Sequence, residues 1–178
     1  MPAPKLNGMT TNVHTSIQPG TYTIDPSRSS CRLTATHVFG LKPVAATVDL
    51  RGGTVTVAPD LAASTCSAML DAATFRSDDE RRNKDVTGKR FLHAGSHPVI
   101  AFRSTGCRAG SDGWLIDGVL RVRGRDSEVT LTVEEAEWTG SGCHFVASAT
   151  IDRVAAGVGA GRAIIARPVR LTLDLWAA

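Results

Sequence analysis

The feature that most constrains this chain is the alternation of apolar and polar residues, which continues from residue 20 almost to the C-terminus. Cys31, Leu33 and Ala35, for example, fall on one face of an extended segment. Because side chains on a β-strand point alternately to opposite faces, this period of two indicates strands with one dry face. The pattern predicts strands near residues 21–24, 30–38, 43–50, 53–58, 64–71, 98–105, 114–123, 128–138, 143–152 and 168–176.

The clearest hairpin is predicted between the strands near 114–123 and 128–138. Residues 123–127 connect them, and Gly124 can supply the positive φ that a tight reversal often needs.

One segment departs from the period of two. Residues 77–80, Ser-Asp-Asp-Glu, have the form of a capping box, in which Ser77 accepts from an amide three residues on and Glu80 reaches back. A short helix is therefore predicted near residues 78–88, with Gly88 ending it in a left-handed conformation. A single helix among many strands suggests a lid or a plug.

Many alternating strands in a chain of 178 residues predict one all-β domain. An antiparallel barrel is favoured, because closure removes the exposed edges of a sheet. Five small residues on predicted inward faces would leave volume unfilled: Ala35, Ala68, Gly118, Ala147 and Ala149. The alternative, a packed sandwich without a cavity, stays open at this point.

The N-terminal segment differs from the rest of the chain. Residues 1–19 are polar, contain three prolines and lack the apolar block that a signal peptide or a membrane span needs. We expect a disordered leader over 1–19 and a single barrel domain over 20–178. The missing signal favours a cytoplasmic location, while a periplasmic or secreted one stays open, and no membrane span is expected.

Composition argues against several classes of function. The net charge of +3 is spread along the chain, whereas nucleic-acid binding usually needs a concentrated basic footprint. The dense basic cluster at 81–90 is more typical of a solvated helix face. The four cysteines form no C-x-x-C pair, and Pro98 disfavours a helical metal pair at His93 and His97. We therefore expect buried thiols and neither a metal nor a cofactor.

Four segments, in the right order over residues 20–176, resemble the YceI family of bacterial lipocalin-like proteins. In the first segment the matching residues are Tyr22, Ile24, Asp25, Ser29, Cys31, Leu33 and His37. In the second they are Arg82, Phe91, Pro98, Ile100, Phe102, Ser104 and Thr105. The last two contribute Gly118, Leu120, Gly124 and Val129, and then Ile151, Asp152, Arg153, Gly157 and Val158.

The resemblance implies an extended antiparallel lipocalin-like β-barrel that binds, transports or stores a lipophilic or amphiphilic molecule without catalysis. Polyisoprenoids, isoprenoid quinones and fatty-acid derivatives are the ligand classes it implies, and a homodimer is an assembly it implies. Physical reasoning supports an elongated lipophilic partner, since each buried methylene contributes about 0.8 kcal/mol without any directed contact.

The candidate ligand-binding residues lie on predicted inward faces or near the barrel mouth: Leu33, His37, Phe39, Arg82, Phe91, Phe102, Leu120, Leu131 and Phe145. The apolar members either line a cavity or fill the core. His37, Arg82 and Asp85 could bind a ligand headgroup, although a buried histidine is often bonded to a backbone carbonyl instead.

Two other functions stay open. An enzyme could act on a hydrophobic substrate in the barrel with His37 as acid or base, although no catalytic residue is assigned and no Gly-x-Ser-x-Gly elbow is present. An interaction module could present the basic 81–90 surface to an acidic partner.

Overall fold

The computed structural model describes residues 17–37, 43–161 and 165–178. Within them lie one α-helix, α1 (Glu80–Thr87), and a single eleven-stranded sheet. Its strands are β1 (Gly20–Thr23), β2 (Ser30–His37), β3 (Val44–Val48), β4 (Leu50–Val57), β5 (Thr65–Asp71), β6 (Arg76–Ser77), β7 (Val99–Ala109), β8 (Trp114–Val122), β9 (Arg125–Trp138), β10 (Cys143–Asp152) and β11 (Ile165–Ala177).

The strands predicted from alternation are confirmed, and the structure adds the two-residue strand β6, which pairs with β3. Strand β7 continues to Ala109, beyond its predicted end at residue 105. A strand as short as β6 has no alternation to detect, so a sequence pattern cannot reveal it.

The sheet curls into a barrel, and two of its walls are bent strands. β1 and β2 follow one another along one wall, and β3 and β4 follow one another along the next, with a corner at Asp49. β11 pairs with β2, while Thr23 and Ala178 exchange backbone hydrogen bonds of 2.7 and 3.0 Å. These contacts join the first wall to the last. The barrel therefore has eight antiparallel walls when each bent pair counts as one and the short β6, which follows β5 and pairs with β3, counts with β5.

The two ends of the barrel differ in what covers them. The helical end carries the β8–β9 turn, the β10–β11 loop and the long β5–β7 connection, which contains α1. The terminal end carries Ile17, Ala178 and the β4–β5, β7–β8 and β9–β10 connections. The expectation of a helix that acts as a lid is consistent with the position of α1 at one mouth.

The β8–β9 hairpin turns more tightly than predicted. Val122 pairs directly with Arg125, which leaves only Arg123 and Gly124 in the connection instead of residues 123–127. Both have positive φ, 52° and 72°. This is the two-residue geometry whose twist matches that of the flanking strands.

The position of α1 agrees with the prediction, and Gly88 ends it as predicted, but the predicted N-cap and the predicted left-handed conformation of Gly88 are wrong. Asp79, and not Ser77, is the N-cap, and its carboxylate accepts from the amides of Arg81 and Arg82 at 2.9 and 3.2 Å. Gly88 ends the helix in an extended conformation with φ −75°, so no left-handed residue is needed there. In the described ranges, no helix combines the length and apolar character that crossing a bilayer requires.

The predicted leader lies mostly outside the described residues. Its described end packs onto the terminal end of the barrel, where Ile17 is buried in a cluster with Val57 and Cys143. The hydroxyl of Tyr22 donates a 2.6 Å hydrogen bond to the carbonyl of Gln18.

Candidate ligand-binding site

The barrel encloses an elongated cavity of about 690 Å³. Its lining on β11 extends from Ile165 to Leu175, a distance of about 30 Å along a strand that rises roughly 3.3 Å per residue. This volume lies within the usual range of small-molecule sites, about 300–1,000 Å³. Because this volume is spread over that length, the cavity is a narrow channel suited to a chain-like molecule.

Inward faces of the strands form the walls of the cavity. Three of the predicted small inward residues, Ala35, Ala68 and Ala147, line it. Leu33, also inward, packs against the core cluster that contains Leu175 but stays half-buried, because it also faces the open space of the cavity. The alternative of a packed sandwich without a cavity is therefore excluded.

Seven of the nine candidate ligand-binding residues border the cavity: Leu33, Arg82, Phe91, Phe102, Leu120, Leu131 and Phe145. His37 ends β2, where its backbone pairs with Ile165, and its side chain is not among those described. Phe39 lies outside the described residues. Contact of these residues with a ligand stays a prediction.

The charged residues that border the cavity are confined to the helical end. They are four arginines and two aspartates: Asp79, Arg81, Arg82, Asp85, Arg90 and Arg153. Elsewhere the lining is almost wholly apolar, with a few small hydroxyl and thiol groups. The cavity is thus amphipathic along its length, with one charged mouth and an apolar body.

Arg82 is held in place by its own segment. Its Nη1 atom donates to Asp78 Oδ1 at 2.8 Å and to Ser77 Oγ at 3.2 Å. Arg81 and Arg90 are exposed, and neither forms an ion pair or a side-chain hydrogen bond in the part of the chain that the structure describes. Sequence reasoning selected Arg82 and placed the other two only in the general basic cluster.

Arg153 is a cavity-lining residue that was not selected as a candidate. It is 7% exposed, and its guanidinium donates to the carbonyls of a single loop and the strand that follows it. The acceptors, at 2.7–3.4 Å, are Val158, Ala160, Gly161, Ile165 and Ala166. These hydrogen bonds hold the β10–β11 loop over the helical end. The sequence signal for Arg153 was its place in the turn that resembles the YceI family.

Three thiols also line the cavity, those of Cys31, Cys66 and Cys107, and the cysteines of the described chain are unpaired. Burial raises the pKa of Cys31 to about 12 and that of Cys66 to about 11. Both thiols are therefore protonated at neutral pH and act as small apolar groups. The prediction of buried thiols holds for Cys31 and Cys143, whereas Cys66 and Cys107 are half-buried.

A family model described as "YceI-like domain" matches residues 22–177. The "UPF0312 protein" of Yersinia pestis (strain Pestoides F) is 30% identical over 81 residues, which are 46% of this chain. The chain spans only 41% of the length of that curated relative, and the same holds for its counterpart in Yersinia pseudotuberculosis (strain IP 31758).

Solved structures share the fold. BcnA of Burkholderia cenocepacia superposes with a TM-score of 0.77 at 24% identity, over 87% of this chain and 99% of BcnA. A polyisoprenoid binding domain from Saccharophagus degradans gives 0.62 at 12% identity, over 88% and 97%. The YCEI protein of Campylobacter jejuni gives 0.52 at 12%, over 99% and 97%. These likenesses confirm the predicted lipocalin-like barrel and, at such identities, the fold alone.

Proposed function

Because the chain belongs to the YceI-like domain family, we propose that it binds an elongated lipophilic or amphiphilic molecule inside the barrel and carries or stores it unchanged. The observation that carries this proposal is the apolar channel of about 690 Å³. The description of one structural neighbour as a polyisoprenoid binding domain supports the same class of ligand.

The energetics favour a long hydrocarbon. Each methylene transferred from water into the channel contributes about 0.8 kcal/mol, and no directed contact is needed. Part of that gain is lost to ordering of the chain, so affinity does not grow in proportion to length. A polyisoprenoid, an isoprenoid quinone and a fatty-acid derivative all meet these requirements.

Binding without conversion is also consistent with the chemistry of the walls. The thiols of Cys31 and Cys66, which could otherwise act as nucleophiles, are held protonated by burial in the apolar lining. A protonated thiol is a poor nucleophile, because the reactive species is the thiolate.

The experiment that tests the proposal is native mass spectrometry of the purified protein, followed by analysis of an organic extract. We expect an additional mass that leaves on extraction and is identified as an isoprenoid or acyl compound. A barrel that is empty and takes up no lipophilic probe would refute the proposal.

A matched pair of variants tests whether the bound molecule occupies the channel. Val169 lines the cavity, whereas Thr172, a side chain of nearly the same shape on the same strand, does not. Val169→Trp should obstruct the channel and reduce uptake, and Thr172→Trp should leave uptake intact. Circular dichroism and the thermal midpoint of each variant establish that both are folded.

A further inference from the structure

The charges at the helical end are unbalanced. Four arginines and two aspartates border the cavity there, which gives this mouth a formal excess of two positive charges. The excess adjoins an apolar channel, where opposite charge is attracted more strongly than in bulk water.

The charged groups differ in how far their neighbours already satisfy them. Arg82 is bonded to Asp78 and Ser77, and Arg153 is bonded to backbone carbonyls. The carboxylate of Asp79 accepts from two backbone amides of α1.

Arg81, Asp85 and Arg90 remain. In the described chain neither arginine forms a side-chain hydrogen bond or an ion pair, and both border the channel. Arg81 lies in the first turn of α1, and Arg90 follows the last residue of α1, so the two arginines flank the helix.

We propose that Arg81 and Arg90 bind the anionic headgroup, a carboxylate or a phosphate, of an amphiphile whose hydrocarbon tail occupies the barrel. This inference rests on the proposed function, because it takes the channel as the site of the tail. Hydrophobic burial alone does not fix which end of a chain enters first. A guanidinium does, since its planar donors match carboxylate and phosphate oxygens.

Asp85 allows a test of whether the mouth favours negative charge on the headgroup. It borders the same mouth, four residues from Arg81, and forms no ion pair within the described chain. Its carboxylate repels an anionic headgroup, so Asp85→Asn should strengthen the binding of an anion and leave the binding of a neutral analogue unchanged.

Competition against the neutral fluorophore N-phenyl-1-naphthylamine measures these affinities. The probes are two matched pairs, palmitate with palmitamide and farnesyl phosphate with farnesol, so that the members of each pair share a tail and differ in headgroup charge. We expect the wild-type protein to prefer the anion of at least one pair, and the preferred pair identifies carboxylate or phosphate.

Arg81→Gln combined with Arg90→Gln should weaken binding of the preferred anion by about tenfold, the scale of a hydrogen bond to a charged group. The matched control is Lys84→Gln combined with Lys89→Gln, which removes the same charge from the same segment at positions that do not border the cavity. The control should retain the preference for the anion.

Two results would overturn the inference and leave the proposed function standing: neutral and anionic probes that bind equally well, or a lysine control that loses as much affinity as the arginine variant. The second would indicate a diffuse surface field, as at an anionic membrane, in place of a headgroup site. Failure of the fluorophore and of every probe to bind would instead refute the proposed function.

Discussion

The ring of Phe102 lies against the backbone of Gly118, so closely that a Cβ atom at residue 118 would overlap the Cε2 and Cζ atoms of the ring. The same Cβ would come within 2.6 Å of the carbonyl oxygen of Arg103. Phe102 is buried, borders the cavity, and packs in the cluster that contains Leu120 and Leu131. The absence of a side chain at residue 118 therefore fixes the position of an aromatic ring in the channel wall.

Gly118→Ala should destabilise the barrel by about 1–3 kcal/mol, the usual cost of overpacking a core. Relief of the overlap requires the Phe102 ring to move, which should also weaken uptake of a lipophilic probe. Urea denaturation and fluorophore binding measure the two effects. Gly106→Ala is the control, because a Cβ at residue 106 on the neighbouring strand β7 meets no atom within 4 Å. Equal stability of the two variants would contradict this account.

The walls of the barrel were predictable because their signal is local. Alternation along a strand needs only the neighbours in sequence, so Leu33, Phe102 and Phe145 could be assigned to the inner face before any pairing was known. The position of the β8–β9 turn was predictable for the same reason, but its length of two residues was not. Arg123 accepts positive φ there, which is uncommon for a residue other than glycine and has no signal in the sequence.

The helix start shows where local reasoning fails. Ser77 and Asp79 are both good N-cap residues, and the sequence pattern favoured Ser77. In the fold Ser77 belongs to β6 and pairs with Ala46, while its amide donates to Asn83 Oδ1 at 2.7 Å. A residue engaged in a strand cannot also begin the helix, so the cap moves to Asp79.

The charged mouth was harder to predict than the apolar walls. The basic run at 81–90 reads as a solvated surface, and which of its members border the cavity depends on how α1 sits across the barrel end. Arg153 could not be selected from local patterns for the same reason, since the carbonyls of Ala160 and Ala166 that it donates to lie in a loop and strand that only the fold brings around it.

The thiols of Cys31 and Cys66 should react slowly with alkylating agents in the folded protein. Burial raises the pKa of Cys31 from 9.0 to about 12, which lowers its thiolate fraction near neutral pH about a thousandfold. For Cys66, raised to about 11, the same reasoning gives about a hundredfold. Alkylation by iodoacetamide at pH 8, followed by mass spectrometry, should therefore be far slower than in urea. Labelling of Cys31 at the same rate in both states would show that the channel does not exclude it from water.

Stability should fall in acid, and Asp117 should contribute to the loss. Hydrogen bonds from Arg108, at 2.8 Å, and then from Thr130 hold the pKa of this carboxyl below its ordinary 3.8. A lowered pKa in the folded state means that the folded protein binds the proton less readily than the unfolded chain. The stabilisation is therefore complete above about pH 4, the unfolded value, and is lost as the pH falls through the lowered pKa.

Urea denaturation from pH 6 to pH 2.5 measures this dependence. Asp117→Asn should be less stable than the wild type at pH 6 and should approach it at the acid end. Asp112→Asn is the control. It removes a carboxylate that has no arginine partner in the described chain, and its stability should depend on pH as steeply as that of the wild type. An unchanged slope for Asp117→Asn would contradict the assignment.

Arg153 should be the most costly polar residue to replace. The methionine of Arg153→Met retains much of the length of the side chain but leaves the carbonyls that face the buried guanidinium without their donor. Each such carbonyl costs about 1–3 kcal/mol, so we expect a loss of at least about 3 kcal/mol in the free energy of unfolding.

Arg167→Met provides the comparison, since Arg167 is 63% exposed and pairs with Asp152 at the surface. Exposed pairs contribute little, so this change should cost less than about 1 kcal/mol. Hydrogen exchange should show faster amide exchange over 158–161 in Arg153→Met, because that loop folds over the helical end through the guanidinium. Exchange at the wild-type rate, together with an unchanged urea midpoint, would mean that the loop holds its position without Arg153.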